Sequence, residues 1–166
     1  MTKPQDQRIR PRTLARLAAV QALYQTEQSG EVAETVIDQF IQHRIEAPSG
    51  RCGIEEGHIA SAHIPLFMRI VRCATMQQDT IDLLIGNVLP SAWPLGRLDP
   101  VLRAVLRAAG AELNMVDGPP SRVVINEYLD VAHGFLTPDA VELGNAMLDR
   151  MAHMLRPGEF ADPVVN

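Results

Sequence analysis

The chain has 166 residues and a formal net charge of −5, with 46% apolar and only 4% aromatic residues. This length allows a single domain with a hydrophobic core, which aliphatic side chains must fill. No apolar run approaches the roughly 18 residues of a membrane-spanning helix, and we find no signal peptide after the charged N-terminus. The two cysteines do not suggest a disulfide framework, so we expect a reduced, cytoplasmic protein.

Basic residues are concentrated at the N-terminus. Residues 1–16 carry five basic side chains and one acidic side chain, a net charge of +4, so the rest of the chain sums to −9. All but one of the basic residues are arginines, whose planar guanidinium suits bidentate phosphate contacts. We expect a flexible basic arm over 1–11, a single helical domain over 12–155 and a loose tail over 156–166. A solvated terminus without a ligand would explain the same charges.

Helical periodicity begins directly after the basic arm. Pro11 suits a first helical turn and Gly30 suits a helix end, and together they bound the first predicted helix. Apolar side chains follow one face at helical spacing: Leu17, Val20 and Tyr24. Arg12 and Arg16 lie one turn apart on another face, which fixes part of the basic cluster on a helix.

The next segments are less sharply bounded. A second helix is predicted over 31–46, with an inward apolar face: Val32, Val36, Phe40 and Ile41. Residues 47–58 contain three glycines and a proline and are predicted to form an exposed loop. Helix returns near Pro65 and continues to about residue 88, either as one long helix or as two with a bend near 77–80. Residues 87–96, with two prolines and the only tryptophan, are predicted to be a connector.

Three later helices have clear start signals. Asp99 and Pro100 suit an N-cap and a first helical position, and so do Thr137 and Pro138. Between them, Ser121 opens a further helix after the turn at 116–120. Each segment carries an apolar stripe, and we find no clear strand, repeat or low-complexity tract. The sequence therefore predicts an all-α globule of six or seven helices.

Motifs for enzymatic chemistry are missing from the sequence. We find no phosphate-binding loop, dinucleotide fingerprint, zinc-protease motif or nucleophile elbow. Cys52, His58, His63 and Cys73 have side chains that bind zinc, but their spacing matches no ordinary zinc site. Cys73 also falls on an apolar helical stripe, where a small thiol packs well. We therefore expect no metal, no cofactor and no enzymatic activity.

Two asparagines lie inside predicted helices, where asparagine is a modest helix former. These are Asn126 and Asn145. Buried amides that join two helices by hydrogen bonds explain them better than ligand contacts, because buried polar groups need partners. We therefore expect both side chains to be buried, with ligand recognition as the alternative.

Three stretches, taken in chain order, resemble one bacterial family. They are 15–25 (ARLAAVQALYQ), 98–113 (LDPVLRAVLRAAGAEL) and 123–149, which begins VVINEYLDVAHGF and ends NAMLD. This ordered set is similar to the NusB family of transcription antitermination factors over about residues 12–155. The stretch INEYLDVAH is similar to the sequence found at this place in alphaproteobacterial members of the family. The resemblance implies two small helical bundles packed together.

The resemblance also implies partners. Members of the family pair with NusE, a ribosomal small-subunit protein, and together they bind the boxA element of nascent ribosomal RNA. The pair joins NusA and NusG on RNA polymerase, with no membrane involved. Some members dimerise through the same surface, so the resemblance leaves a monomer or a homodimer open. Because this chain is acidic overall, we expect it to bind RNA weakly without a basic partner.

The resemblance also implies roles for individual residues. The arginine-rich N-terminal segment contacts RNA in the family, and two later positions are placed near it. The predicted RNA-binding set is Arg8, Arg10, Arg12, Arg16, Arg122 and Asp139. The predicted partner-binding set is Tyr24, Leu102 and Arg103. We expect Tyr24 and Leu102 to lie on a partner surface rather than in the core.

The chain departs from the family pattern at four places. Consecutive arginines are common where this chain has Arg12-Thr13-Leu14, and a glutamate is usual at Leu102. The family's FVNG is Leu143-Gly144-Asn145-Ala146 here, and its Phe-Gly turn is Phe135-Leu136. These changes favour an alternative function, that of a diverged paralogue which binds protein without reading boxA RNA. RNA cytosine methyltransferases with a NusB-like domain are a third alternative, which needs a long C-terminal cofactor domain.

Overall fold

The computed structural model describes residues 10–45, 62–90 and 93–161. These residues form seven α-helices and no β-strand, which confirms the prediction of an all-α fold. The helices are α1 (Pro11–Ser29), α2 (Ala33–Phe40), α3 (Ile64–Met76), α4 (Gln78–Val88), α5 (Pro100–Leu113), α6 (Ser121–His133) and α7 (Pro138–Leu155). A π-helical turn, Ile41–Ile45, extends α2, and 3-10 turns occupy Leu95–Arg97 and Pro157–Glu159. In the described ranges no helix is long and apolar enough to span a membrane.

The helix ends follow the local signals in the sequence. Gly30 adopts a left-handed conformation with φ of 70°, and its N–H donates to a carbonyl in the last turn of α1 at 3.0 Å. A side chain larger than hydrogen is disfavoured in this conformation, so glycine ends the helix cleanly. Asp99 Oδ1 accepts a hydrogen bond from the Val101 N–H at 2.8 Å, and Thr137 caps α7 through the Ala140 N–H. These are the predicted N-caps of α5 and α7.

The structure of the second, third and fourth helices can be compared with the sequence prediction in detail. The segment left open as one helix or two is two helices, because the backbone at Gln77 leaves the helical region before α4 begins. Val32, predicted to face inward, is 69% exposed, because α2 begins one residue later and Val32 is its extended N-cap. Phe40 is buried as predicted and stacks on Phe67, with 5.7 Å between the ring centroids. The predicted loop at 47–58 lies outside the described residues.

Helix α5 is the centre of the core. It contacts α1, α3, α4, α6 and α7, and every residue from 104 to 113 is buried. Its neighbours approach so closely that an added Cβ on Gly110 would lie 2.9 Å from Ile81 Cγ2 and 3.1 Å from Met151 Cε. The helices form two packed groups, α1–α3 and α4–α7, and α5 joins them because it contacts both.

The chain after α7 returns to the fold. The Arg156 side chain donates hydrogen bonds to four backbone carbonyls at and after the end of α5: Glu112, Leu113, Met115 and Pro119. Glu159 accepts a hydrogen bond from the Ser121 N–H at 2.9 Å, at the start of α6. The segment predicted to be loose from residue 156 is therefore attached through Glu159, and residues 162–166 lie outside the described part.

Candidate nucleic-acid and partner interface

The arginines at the start of α1 do not share one surface. Arg10 is the N-cap residue of α1 and Arg12 lies in its first turn, and both are exposed. Arg16, one turn further along, is only 4% exposed. Arg8 lies outside the described residues. The fold therefore presents Arg10 and Arg12 to solvent and directs Arg16 inward.

Arg16 is held by carboxylates from two other helices. Its Nε donates to Glu112 Oε2 at 2.9 Å, its Nη2 donates to Glu112 Oε1, and its Nη1 lies 3.2 Å from Glu127 Oε2. The Tyr128 hydroxyl donates to Glu112 Oε2 at 2.9 Å. We call these four residues the Arg16–Glu112 cluster. The structure contradicts the predicted RNA contact of Arg16, because its guanidinium is occupied inside the protein.

Charge states in the Arg16–Glu112 cluster follow from its geometry. Burial alone would lower the pKa of Arg16, but the hydrogen bonds and charge of Glu112 outweigh it and raise that pKa. Burial and the charge of Glu112 raise the pKa of Tyr128 well above its usual range, so the hydroxyl keeps its proton and donates. Thr13 Oγ1 adds a hydrogen bond to Glu127 at 2.8 Å. The cluster therefore fixes the basic end of α1 against α5 and α6.

A groove of about 610 Å³ lies beside α1, between the start of α5 and the turn that joins α6 to α7. Its aromatic lining residues are Tyr24, which is 40% exposed, and Phe135, which is 50% exposed. Val101 and Arg44 also line it, together with three amides of α1: Gln21, Gln25 and Gln28. The Arg44 guanidinium lies 4.4 Å from the centre of the Phe40 ring. Exposed aromatic rings beside a guanidinium and amides are typical of protein interfaces and of surfaces that stack nucleic-acid bases.

Sequence reasoning identified one residue of this groove and missed the others. Tyr24 was identified through the resemblance, and its exposure agrees with a place on a surface. Val101, Phe135 and Arg44 come from three other parts of the chain. Only the packing of α1 against the start of α5 and the α6–α7 turn brings them together, and no local pattern in the sequence indicates it.

Leu102 is not part of this surface. It is 2% exposed, and its Cδ1 would lie 3.1 Å from a Cβ added to Gly144 of α7. The prediction that Leu102 contacts a partner is therefore wrong. Successive residues of a helix point in different directions, so Val101 lines the groove whereas the next residue, Leu102, packs against α7.

Arg103 belongs to a second ion cluster. Its Nε donates to Glu27 Oε2 at 2.8 Å, and its Nη1 donates to backbone carbonyls that precede α5. Glu27 also accepts from Arg107, whose Nε donates to Asp82 Oδ1 at 2.8 Å. The hydrogen bond from Arg103 lowers the pKa of Glu27, which keeps this carboxylate ionised. The structure contradicts the predicted partner contact of Arg103, because its donors serve other parts of the same chain.

The remaining predicted positions lie at the surface. Arg122 and Asp139 are exposed in the first turns of α6 and α7, where they are accessible to a ligand. A carboxylate in a first turn is also favoured by the helix dipole. Asn126 and Asn145 are exposed as well, so the expectation that they are buried amides is wrong.

Metal ligands are not grouped within residues 10–45, 62–90 and 93–161, where no three His, Cys, Asp or Glu side chains lie together as a metal site requires. Of the four residues considered for zinc, Cys73 is half-buried on α3. His63 caps the same helix, and its Nδ1 accepts a hydrogen bond from the Leu66 N–H at 3.1 Å. Cys52 and His58 lie outside the described part of the chain.

Known proteins resemble this chain over most of its length. The model of the NusB family matches residues 13–153. The transcription antitermination protein NusB of Granulibacter bethesdensis is 56% identical over 94% of this chain and 96% of its own length. The protein with the same name in Gluconobacter oxydans is 52% identical over 90% of this chain and 91% of its own.

Solved structures agree with this fold. T. maritima NusB matches with a TM-score of 0.71 at 27% identity, over 89% of this chain and 95% of its own. A chain in the crystal structure of antitermination factors NusB and NusE with dsRNA matches with a TM-score of 0.70 at 20% identity, over 88% of this chain and 98% of its own. The second likeness supports the fold alone. With the family model matched over 13–153 and relatives more than half identical, the chain belongs to the NusB family.

Proposed function

We propose that this chain is a transcription antitermination factor that pairs with NusE and binds boxA RNA in nascent ribosomal RNA transcripts. Family membership supports this proposal, and so does the name shared by relatives that are more than half identical. The structural observation that supports the proposal is the exposed side of α1. Arg10 and Tyr24 lie about four helical turns apart on one side of this helix, and the groove opens beside Tyr24.

The proposed contacts extend beyond this side of α1 and form two groups. Arg10, Arg12 and Arg122 are exposed cations that suit RNA phosphates, whereas Tyr24, Val101 and Phe135 form an apolar surface that suits a protein partner. Because Arg16 is buried, two or three arginines are left to contact phosphates. For single-stranded RNA, that number of contacts gives a slope of about −1.4 to −2.1 when the logarithm of the binding constant is plotted against the logarithm of the salt concentration. This dependence is shallow, and the net charge of −5 repels RNA elsewhere. A basic partner must therefore supply much of the affinity, and we assign this part to NusE, in an assembly with NusA and NusG on RNA polymerase.

Fluorescence anisotropy of labelled boxA RNA tests the proposal. The RNA and a scrambled control are titrated with this chain, with NusE, and with both proteins together. We expect tight binding that prefers boxA only when both proteins are present. Tight boxA binding by this chain alone at physiological salt would overturn the proposed division between the two proteins.

Binding of this chain to NusE without RNA tests whether the groove is the partner site. Tyr24→Ala removes an aromatic ring from the proposed partner surface and should weaken binding. Phe160→Ala is the matched control, because Phe160 is an aromatic residue of nearly equal exposure, 39% against 40%, that follows α7 and does not line the groove. Equal loss in both variants would argue against a partner site at the groove.

A second function is favoured by the burial of Arg16. Because Arg16 is buried, only Arg10 and Arg12 are exposed among the arginines that the structure describes at the start of α1. So few exposed arginines suit a module that binds protein without reading RNA. The same titration separates the two functions. Binding to NusE without any preference for boxA over the scrambled RNA would support the module.

A further inference from the structure

A second basic surface lies about 120° around α1 from Tyr24. It is a depression of about 300 Å³ between the first turns of α1, the start of α3 and the turn that joins α5 to α6. Arg12, His63 and Arg69 contribute exposed side chains to it, and we call it the Arg69 depression. Beneath them lie Arg16 and Glu112, which pair with each other.

Arg12, His63 and Arg69 are held near one another by the backbone. The His63 N–H donates to the Pro11 carbonyl at 3.0 Å, which fixes the start of α3 beside the start of α1. Because His63 Nδ1 accepts a hydrogen bond from the Leu66 N–H, the proton of the neutral ring lies on Nε2. His63 therefore retains one donor beside the guanidinium groups of α1 and α3.

Arg69 is paired, but weakly. It forms a bidentate pair with Asp117, in which Nη1 donates to Oδ2 at 3.0 Å. The two side chains are 48% and 68% exposed, and an ion pair this exposed contributes little. Arg12 and Arg69 against Asp117 leave the rim with a net positive charge, so a phosphate can compete with Asp117 for the Arg69 guanidinium.

We propose that the Arg69 depression receives a phosphate of the bound RNA, so that the RNA crosses the start of α1 and continues over α3. This inference rests on the proposed function. Arg12 connects the depression to the exposed arginine at the N-cap of α1, and the guanidinium fork of Arg69 matches phosphate oxygens. The lining contains no Phe, Tyr or Trp among the described residues, so it suits the RNA backbone rather than a stacked base.

Two arginines on α3 provide a matched test. Arg72 lies one turn beyond Arg69, is 46% exposed and forms the same kind of bidentate pair, with Glu34. It does not line the depression. Arg69→Gln should weaken binding of boxA RNA to the complex with NusE by roughly threefold or more, and should make the salt slope shallower by about 0.7, the value for one phosphate contact. Arg72→Gln removes the same charge and should change neither quantity.

The acidic partners give the opposite test. Asp117→Asn releases Arg69 and should strengthen RNA binding, whereas Glu34→Gln releases Arg72 and should leave RNA binding unchanged. All four substitutions are exposed, and circular dichroism spectra of the variants check that the helices are intact.

The outcomes separate this inference from the proposed function. Equal effects of Arg69→Gln and Arg72→Gln, or no gain from Asp117→Asn, would overturn the inference alone, provided that the unsubstituted complex prefers boxA RNA. A complex that shows no preference for boxA over scrambled RNA would overturn both. Weakening confined to Arg69→Gln, with strengthening confined to Asp117→Asn, would support RNA contact at the depression.

Discussion

Arg12 and Arg16 lie one turn apart on α1, and among the described residues only Arg16 of the two pairs with carboxylates from other helices. Glu112 and Glu127 belong to α5 and α6, and the Tyr128 hydroxyl donates a second hydrogen bond to Glu112 Oε2, which also accepts from Arg16. A buried charge is tolerated only when it is paired and hydrogen-bonded. The cluster meets this requirement, so Arg16 stabilises the position of α1, whereas Arg12 remains available to a ligand.

The two arginines should therefore respond differently to substitution. Arg16→Met leaves Glu112 buried without its cation, and we expect it to lower the free energy of unfolding by about 3 kcal/mol or more. Arg12→Met, at an exposed position of the same helix, should change it by less than about 0.5 kcal/mol. Urea denaturation followed by circular dichroism measures both. A similar effect of the two substitutions would contradict the assignment of Arg16 to the interior.

Tyr128 should make stability depend on pH in alkaline solution. Burial raises its pKa in the folded protein, whereas in the unfolded chain the hydroxyl ionises near its ordinary pKa of about 10. The contribution of Tyr128 is therefore fully present below about pH 10 and is lost as the pH rises further. Urea denaturation between about pH 8 and pH 11 should show this loss, and Tyr128→Phe should reduce it.

The other tyrosine of the chain is the control for this measurement. Tyr24 is exposed, so Tyr24→Phe should retain the alkaline loss of stability seen in the unsubstituted protein. If Tyr128→Phe retained the loss as well, the buried hydroxyl would not be its source.

Leu102 and Gly144 lie close together, and both are positions where the resemblance leads us to expect another residue, a glutamate and a valine. A Cβ added at Gly144 would lie 3.1 Å from Leu102 Cδ1, so a larger side chain there would require Leu102 to shift. The small residue at 144 therefore leaves room for the buried Leu102.

At the scale of elements, α5 determines how closely its neighbours approach. Gly110 lies where α4 and α7 meet α5, and the nearby Ile81 is buried and branched at Cβ, so it adjusts little. Gly110→Ala should lower the free energy of unfolding by about 1–3 kcal/mol through overpacking. Thermal unfolding followed by circular dichroism measures the change.

Gly86 on α4 is the matched control for Gly110. It is exposed, and a Cβ added there would meet no atom within 4 Å. Gly86→Ala should therefore stabilise the protein by up to about 1 kcal/mol, because alanine favours the helix more than glycine does. Two Gly→Ala changes with effects of the same sign would contradict the close approach at Gly110.

The helix ends could be predicted because their causes are local. Asp99, Pro100 and Thr137 act on the backbone of the next few residues, and Gly30 acts on its own. The faces of α5 could not be predicted in the same way. Whether Leu102 or Val101 meets the groove depends on where neighbouring helices pack, and the apolar pattern allows either residue at the surface.

In the whole molecule, the N-terminal arginines are divided between the interior and the surface, because Arg16 is buried whereas Arg10 and Arg12 are exposed. Arg16 pairs with Glu112, which is 96 residues away, and no local signal predicts that contact. Tyr24 and the exposed arginines could be identified through the family resemblance. Phe135, Arg44 and Arg69 could not, because each joins its surface only through packing between helices that are distant in sequence.

The Arg16–Glu112 cluster also determines when the protein can acquire its proposed RNA surface. Helix α1 leaves the ribosome before α5 and α6, which carry the partners of Arg16. Until Glu112, Glu127 and Tyr128 emerge, a nascent chain carries its arginines without the helices that orient them. A prematurely terminated product would therefore lack the residues that hold α1 in place.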